Sequence, residues 1–223
     1  MNKIIKTAAY IFAMMGLFAT FSACTGTAEK ADSKQTLSRE QIKERSFDQL
    51  FKPIDVKDIP EDVFTLISED FSVLTAGTPS HYNSMVAGWG GWGILFSKPH
   101  AFSFLRATRY TLEIMRKENR YTMTFFDEEF KDDIMAFGIQ SGRNSDKMKT
   151  TALTSLQTPA GNMAFKEAKL IIELNLTQVT TVSPNDFLVP ENRKFIVDAN
   201  PGGNPSDYHR MVFGEITNVW VRK

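Results

Sequence analysis

Alternation of apolar and polar residues over short segments is the feature that most restricts how this chain can fold. In residues 120–126, Tyr121, Met123 and Phe125 alternate with two threonines. In residues 168–176, every second position from 170 onward is leucine or isoleucine. A period of two places alternate side chains on opposite faces of a β-strand. These segments therefore predict half-buried strands and a mainly β fold.

Three further segments have strand character, namely residues 71–76, 101–105 and 211–221, with Gly214 as a predicted bulge in the last. Residues 200–205 contain two prolines and two glycines and predict a loop. Many strands with few intervening helices indicate a β-barrel decorated by helices.

Helix signals are fewer than strand signals. Thr108 is the predicted N-cap of one helix, and Asp127 is the predicted N-cap of a second helix that ends at Gly138. In the second helix, an apolar stripe should face the core. Asn144 or Ser145 could cap a third, short helix.

The first residues of the chain have the layout of an export signal. Lys3 and Lys6 precede an uncharged apolar stretch over residues 7–22. That stretch is short for a membrane-spanning helix, which needs about 20 residues. The single cysteine of the chain, Cys24, follows two small residues at the end of this stretch, as in a bacterial lipobox.

We therefore predict a lipoprotein signal peptide over residues 1–23 and lipidation of Cys24. A polar tether over residues 24–50 and a folded domain over residues 51–223 follow from the composition. An ordinary secretory signal with a chance cysteine is the alternative.

Composition and motifs exclude several classes of protein. Equal numbers of basic and acidic residues, 26 of each, argue against nucleic-acid binding. One cysteine excludes a disulfide framework and a cysteine-based zinc site, and the three histidines lack the spacing of metal ligands. Residues 88–93 match G-x-G-x-x-G, but Pro99 follows too soon for the helix that a dinucleotide site requires. These glycines instead predict a close backbone approach within a strand or turn.

Three segments carry the candidate site residues. The first contributes Asn83, Ser84, Met85, Val86, Ala87 and Trp89. The second contributes Arg106, Thr108, Arg109 and Thr111 at a predicted helix start, where anions bind. The third, a polar loop, contributes Ser141, Arg143 and Lys147. For the first segment, periodicity alone favours core packing, and the third could be an ordinary surface loop.

The order of these motifs resembles the flavin reductase-like family from about residue 51 to the end of the chain. The similar segments are Tyr82 to Gly91, Lys98-Pro99, Arg106, Arg109 to Thr111, Ser141 to Arg143, Asp146-Lys147, Asp207 to Met211 and Gly214 to Ile216. Val86 and Ala87 stand where relatives more often have threonine and serine.

The resemblance implies an FMN-binding split barrel with a few flanking helices and FMN as the cofactor. It assigns the flavin phosphate to the second segment, with the third completing the phosphate site. The first segment would line the ring and ribityl chain, with Trp89 flanking the ring or packing in the core, and Tyr208 and His209 could reach the ring. No protein side chain is assigned as catalytic, because the flavin supplies the chemistry.

The expected function is that of a flavin reductase-like oxidoreductase, a flavoprotein that passes electrons through bound FMN between an unknown donor and acceptor. We expect a homodimer, as is common in the family, anchored by lipid on the periplasmic side of a bacterial membrane. The alternative is a non-catalytic module on the same barrel that binds flavin, heme or another planar ligand.

Overall fold

An antiparallel sheet of eight strands dominates the computed structural model, which describes residues 37–200 and 202–223. The strands are β1 Phe51–Ile54, β2 Ser72–Thr78, β3 His81–Ala87, β4 Gly90–Leu95, β5 Lys98–Arg106, β6 Arg120–Phe126, β7 Ser155–Gln157, β8 Met163–Phe165, β9 Ala168–Thr181 and β10 His209–Arg222. The helices are α1 Arg39–Glu44, α2 Phe47–Leu50, α3 Val63–Thr65, α4 Tyr110–Glu118, α5 Lys131–Ile139 and α6 Pro190–Asp198. Strands β7 and β8 form a separate hairpin.

One bent strand closes the sheet into a barrel. The hydrogen-bonded order is β3-β2-β6-β9-β10-β5-β4, with β1 beside β10. Its two ends, β3 and β4, are separated by only two residues of the chain, so they form two halves of one strand. The first half pairs with β2, and the second half pairs with β5. At the junction of the two halves, the Phe104 amide of β5 donates to the Trp89 carbonyl at 3.2 Å.

Glycines make this change of partner possible. A Cβ added at Gly90 would lie 2.3 Å from the carbonyl oxygen of Phe102 in β5. A Cβ at Gly88 would lie 2.7 Å from a ring carbon of Phe71. The prediction that residues 88–93 permit a close backbone approach is therefore confirmed, and β4 occupies the place where a nucleotide-binding fingerprint would need a helix.

Two apolar clusters occupy the two faces of the sheet. Tyr121, Met123 and Phe125 pack in the cluster inside the barrel, as the alternation in β6 predicts. The two threonines between them are also buried, and Thr122 donates its hydroxyl hydrogen to the Met163 carbonyl at 2.7 Å. The expectation of half-buried strands is wrong for β6, because the β7–β8 hairpin and the helices cover its outer face.

The other predicted strands are present, with different lengths. Strand β9 continues five residues past the predicted end at position 176, and β10 spans two residues more at its start and one more at its end. The predicted bulge is confirmed, since the pairing of β10 with β9 shifts register between Phe213 and Gly214.

The three helical segments that the sequence predicts are present, but two of their caps differ. Thr108 does not cap α4, which begins at Tyr110 with Arg109 at the N-cap position. The short helical turn Lys147–Lys149 is capped by Asp146, whose carboxylate accepts from the Met148 amide at 3.1 Å, and not by the residues before it. A carboxylate two residues before a free amide is a stronger acceptor than a hydroxyl.

The apolar stripe predicted for α5 is confirmed. Phe130, Ile134 and Phe137 are all buried in the outer cluster. The helix itself begins at Lys131, after a short turn of 3₁₀ helix, and it extends one residue beyond Gly138.

The folded unit begins at Leu37, earlier than the predicted start at residue 51. Helices α1 and α2 bury Ile42 and Leu50 in the outer cluster. The Lys223 amide donates to the Leu50 carbonyl at 2.9 Å, so this segment is part of the fold and not of the tether. The signal peptide and Cys24 lie outside the described residues. Within the described part of the chain, no helix has the length and hydrophobicity to span a membrane.

Two glycines give a matched test of this packing. A Cβ at Gly214 would lie 2.6 Å from the Tyr121 hydroxyl oxygen and 2.8 Å from the Leu174 Cβ, whereas a Cβ at Gly138 meets open space. We expect Gly214→Ala to lower the free energy of unfolding by about 1–3 kcal/mol. Gly138→Ala should raise it by roughly 0.5–1 kcal/mol, since alanine loses less backbone entropy in a helix. Urea unfolding followed by circular dichroism measures both, and equal effects would contradict the packing described here.

Candidate functional site

A cavity of about 310 Å³ lies between β3, the start of α4 and the loop that follows α5. Its lining residues are Asn83, Met85, Thr108, Arg109, Tyr110, Thr111, Gln140, Ser141, Gly142, Arg143 and Lys147. Three of these side chains are basic and none is acidic. The cavity therefore brings together residues from all three segments that the sequence singled out.

Strand β3 divides its predicted site residues between two faces. Met85 and Ala87 face the interior of the barrel. Ser84 and Val86 point the other way: the Ser84 hydroxyl pairs with that of Thr75 at 2.8 Å, and Val86 packs on the outer cluster. Only Asn83 and Met85 of this set line the cavity, and Ser84, Val86 and Ala87 do not. The sequence prediction grouped consecutive residues whose side chains a strand must separate.

Asn83 connects the strand, the helix and the loop. Its Nδ2 donates to the Thr111 Oγ1 at 2.8 Å, and both side chains are buried. A Cβ at Gly142 would lie only 1.8 Å from the Asn83 Oδ1, so the loop backbone rests directly against the asparagine. The floor of the cavity is thus fixed by one amide side chain and one glycine.

Lys147 is a buried cation at the same place. Its Nζ donates to the Phe137 carbonyl at 2.6 Å and to the Ser84 carbonyl at 2.9 Å, which ties the loop to α5 and β3. Lys147 is only 7% exposed to solvent. Burial, and then the positive charge of Arg109, lower the pKa of Lys147 to about 8. A negative charge in the cavity would relieve both effects.

The two arginines of the cavity have different surroundings. Arg143 donates to the Glu113 Oε2 at 2.6 Å and lies 4.8 Å above the Tyr110 ring. Arg109 is exposed, and its guanidinium makes no hydrogen bond or ion pair within the part of the chain that the structure describes. Arg109 is therefore the basic side chain best able to bind a ligand without giving up another contact.

The Asp207 carboxylate binds two of the four side chains that the sequence assigned to the flavin phosphate. The Asp207 Oδ2 accepts from Arg106 at 2.5 Å, and the Asp207 Oδ1 accepts from Thr108 at 2.8 Å. Thr108 still lines the cavity, but Arg106 does not. Of the four residues that the sequence assigned to one anion, Arg109, Thr111 and Thr108 lie at the cavity and Arg106 lies beside it.

Trp89 does not line the cavity and packs with two other rings. Its ring is 5.0 Å from the His209 ring and 5.6 Å from the Phe195 ring, measured between centroids. Burial, and then the positive charge of Arg106, lower the pKa of His209. The rings of Trp89, His209 and Phe195 form an aromatic group. The sequence did not predict α6, which carries Phe195, so this group could not be predicted. Among the described residues, no cluster of side chains could hold a metal ion.

Residues 66–223 match the family described as flavin reductase like domain. The chain belongs to this family. The match covers β2 to β10 and every residue of the cavity, and it confirms the family that the order of motifs resembled.

Solved structures show the same fold. An FMN-binding protein from Thermus thermophilus with bound 1-cyclohex-2-enone is 19% identical, with 76% of each chain covered and a TM-score of 0.52. An FMN-binding domain of a flavin reductases-like enzyme from Shewanella baltica OS155 is 13% identical, with 77% of this chain and 76% of that chain covered and a TM-score of 0.54.

The flavoredoxin of Desulfovibrio vulgaris (Miyazaki F) is 20% identical, with 68% of each chain covered and a TM-score of 0.50. No curated protein matches the sequence significantly. The predicted fold class, a split barrel with a few flanking helices, is confirmed for this member of the flavin reductase-like family.

The contact between Asn83 and Gly142 gives a test of how the cavity is built. We expect Gly142→Ala to push the asparagine away from Thr111 and to lower the free energy of unfolding by about 1–3 kcal/mol. The change is measured by urea unfolding and by the side-chain amide resonances of Asn83. Gly202→Ala, which meets no atom within 4 Å, is the control and should leave both unchanged. Unshifted Asn83 resonances in Gly142→Ala would contradict the close contact.

Proposed function

We propose that this protein binds FMN and is a flavin reductase-like oxidoreductase that transfers electrons through the bound flavin. The observation that carries the proposal is the cavity at the start of α4, with three basic side chains and no acidic one. Its family and the FMN-binding proteins that share its fold support the same conclusion.

The residues of the cavity fit a phosphate group. Arg109 is free to donate, and Lys147 supplies a second positive charge that burial makes costly without an anion. The hydroxyls of Thr108 and Thr111 and the backbone amides of the first turn of α4 add further donors. An arginine at a helix N-terminus opposes the helix dipole, and a bound phosphate dianion would reverse that penalty.

The aromatic group beside Asp207 fits the flavin ring. Trp89 and His209 offer flat surfaces that are partly exposed to solvent. When bound, FMN supplies the one- and two-electron chemistry. The chain holds the phosphate, flanks the ring and limits its contact with water, which explains why no catalytic triad is needed.

The location and assembly of the protein are part of the proposal. The basic, apolar and small-residue order of residues 1–23 supports export and lipidation of Cys24. The domain would then lie on the periplasmic side of a bacterial membrane, with an electron donor and acceptor that differ from the cytosolic pool. We propose a homodimer, because the family commonly forms one.

Removal of the free guanidinium tests the phosphate site. Arg109→Ala should weaken FMN binding roughly 10–100-fold, because a charge-assisted hydrogen bond contributes about 1.5–3 kcal/mol. Riboflavin, which lacks the phosphate, should bind both proteins alike. Calorimetry with each ligand measures the effect, and Arg116→Ala, an exposed arginine in the last turn of the same helix, is the matched control. Equal FMN affinity in Arg109→Ala and wild type would rule out this assignment.

The pH dependence of binding tests Lys147. Its pKa of about 8 in the unliganded protein means that the side chain loses its charge as the pH rises through 8. The phosphate of FMN is already a dianion above about pH 7. We therefore expect FMN affinity to fall between pH 7 and pH 9, while riboflavin affinity stays level.

The same lowered pKa predicts that the free energy of unfolding changes with pH in the direction opposite to FMN affinity. Because the unfolded chain keeps this lysine protonated up to its usual pKa of 10.5, the unfolded state binds more protons between about pH 8 and 10.5. The contribution of Lys147 to the free energy of unfolding should therefore rise over that range. Lys147→Arg, which stays charged, should remove both pH effects, and their persistence in this variant would assign them to another group.

A further inference from the structure

An apolar cavity lies beside α6. Its volume is about 260 Å³, close to the lower end of the range of about 300–1,000 Å³ that small-molecule sites occupy. It shares no lining residue with the basic cavity at the start of α4. The apolar cavity is therefore a separate candidate site, and its size suits a compound of one or two rings.

Aromatic side chains form most of the wall of this cavity. The four rings are those of Trp89, Phe104, Phe187 and Phe195, and Val182 and Ile196 add aliphatic surface. Asn192 supplies the one amide side chain, and no lining residue carries a charge. A charged ligand would lose its hydration there without gaining an ion pair. The lining therefore selects a neutral, planar ring compound that can hydrogen-bond to an amide.

Backbone hydrogen bonds fix the wall to the barrel. The Val182 amide donates to the His209 carbonyl at 2.8 Å, where β9 has ended and β10 begins. The Phe104 amide donates to the Trp89 carbonyl at 3.2 Å, and Ile196 is the buried residue of α6. The wall is thus held in place before a ligand binds, which lowers the entropy cost of binding.

Apolar side chains continue from the cavity to the surface. Phe195 is 57% exposed, and Leu188 and Val189, which follow Phe187 in the chain, are 97% and 49% exposed. Exposed apolar groups beside a cavity are typical of ligand-binding grooves. A ligand with its ring in the cavity and an apolar tail over these residues would remove them from water. Lipid-soluble quinones have this form, a neutral ring joined to an isoprenoid tail.

Trp89 connects the apolar cavity with the proposed flavin site. Its ring lines the cavity and lies 5.0 Å from the His209 ring, and these two rings are the ones assigned to the flavin ring. A compound bound in the cavity would therefore contact a side chain that also flanks the flavin. A lipid on Cys24 would in addition keep the domain beside a bilayer, which dissolves such quinones.

We propose that the apolar cavity binds the ring of a quinone, which accepts the electrons of the reduced flavin. The inference rests on the proposed function, and it names the chemical class of the electron acceptor. The quinone gains two electrons and two protons, so that its two carbonyl oxygens become hydroxyls, while the reduced flavin loses the same and returns to FMN. The Asn192 amide can donate to a carbonyl of the quinone and accept from a hydroxyl of the product.

Binding is tested first, without any reaction. Calorimetry on the full chain in detergent measures the affinity of menadione, a neutral two-ring quinone, for the flavin-free and the FMN-loaded protein. We expect saturable binding with nearly equal affinity in both forms, because the two cavities share no lining residue. A naphthoquinone sulfonate, which is anionic, should bind more weakly. Menadione binding that FMN abolishes would place the quinone in the flavin site and overturn the inference.

Two pairs of variants test the lining. Phe195→Ala should weaken menadione binding roughly tenfold, because the quinone loses an aromatic neighbour. Val197→Ala, at an exposed apolar position of the same helix outside the lining, is its matched control and should leave the affinity unchanged. Asn192→Asp should also weaken binding roughly tenfold, because a carboxylate cannot donate to a carbonyl. Asn185→Asp, which is exposed and outside the lining, is the control for the added charge.

Electron transfer is measured separately. The FMN-loaded protein is reduced by light in the absence of oxygen and mixed with menadione, and the return of the oxidised flavin absorption is followed. Phe195→Ala should slow this step roughly tenfold at low menadione concentration, because less quinone is bound. Val197→Ala should react at the wild-type rate. Equal rates in Phe195→Ala and wild type would show that the quinone reacts elsewhere, against the inference.

The outcomes separate this inference from the proposed function. Normal FMN binding without menadione binding would overturn the inference alone. Equal menadione affinity in Phe195→Ala and Val197→Ala would do the same. Failure of FMN to bind would overturn the proposed function, and with it the electron transfer from flavin to quinone.

Discussion

The close approach of two backbones at Gly90 and Phe102 is the constraint on which the barrel depends. There the strand that began beside β2 leaves it and joins β5, with only 2.3 Å between the position of an absent Cβ and a carbonyl oxygen. Without that change of partner the sheet would stay open, and β3 would not be held beside α4. The basic residues of the cavity are close together because the barrel is closed.

The cavity is lined by three basic side chains and no acidic one, although the whole chain has a formal net charge of zero. Acidic residues near the site are already engaged: Asp207 with Arg106 and Thr108, and Glu113 with Arg143. Lys147 is held by carbonyl oxygens, which accept its hydrogens without cancelling its charge. The local potential is therefore set by pairing and burial and not by the count of charges along the chain.

Sequence patterns predicted those elements whose residues interact locally. The bounds of β6 and the apolar side of α5 follow from periodicity, and the bulge at Gly214 follows from a glycine within a strand. Contacts between distant residues were not predictable in this way. From the sequence, Thr108 is an ordinary candidate for a helix cap. In the structure its hydroxyl donates to Asp207, ninety-nine residues later in the chain. Helix α6 was missed because Val189 at its N-cap offers no capping side chain, and because Phe195 and Val197 are exposed, so that Ile196 alone gives no apolar period.

The folded unit begins at Leu37, which limits the distance between the domain and the membrane if Cys24 carries the proposed lipid. Helices α1 and α2 place residues 39–50 within the folded unit. Residues 25–36 separate Leu37 from the proposed lipid on Cys24, and a chain of that length spans at most about 45 Å in any conformation. With the proposed anchor, the near edge of the domain would stay within that distance of the bilayer, so an electron partner would have to lie in or close to the same membrane.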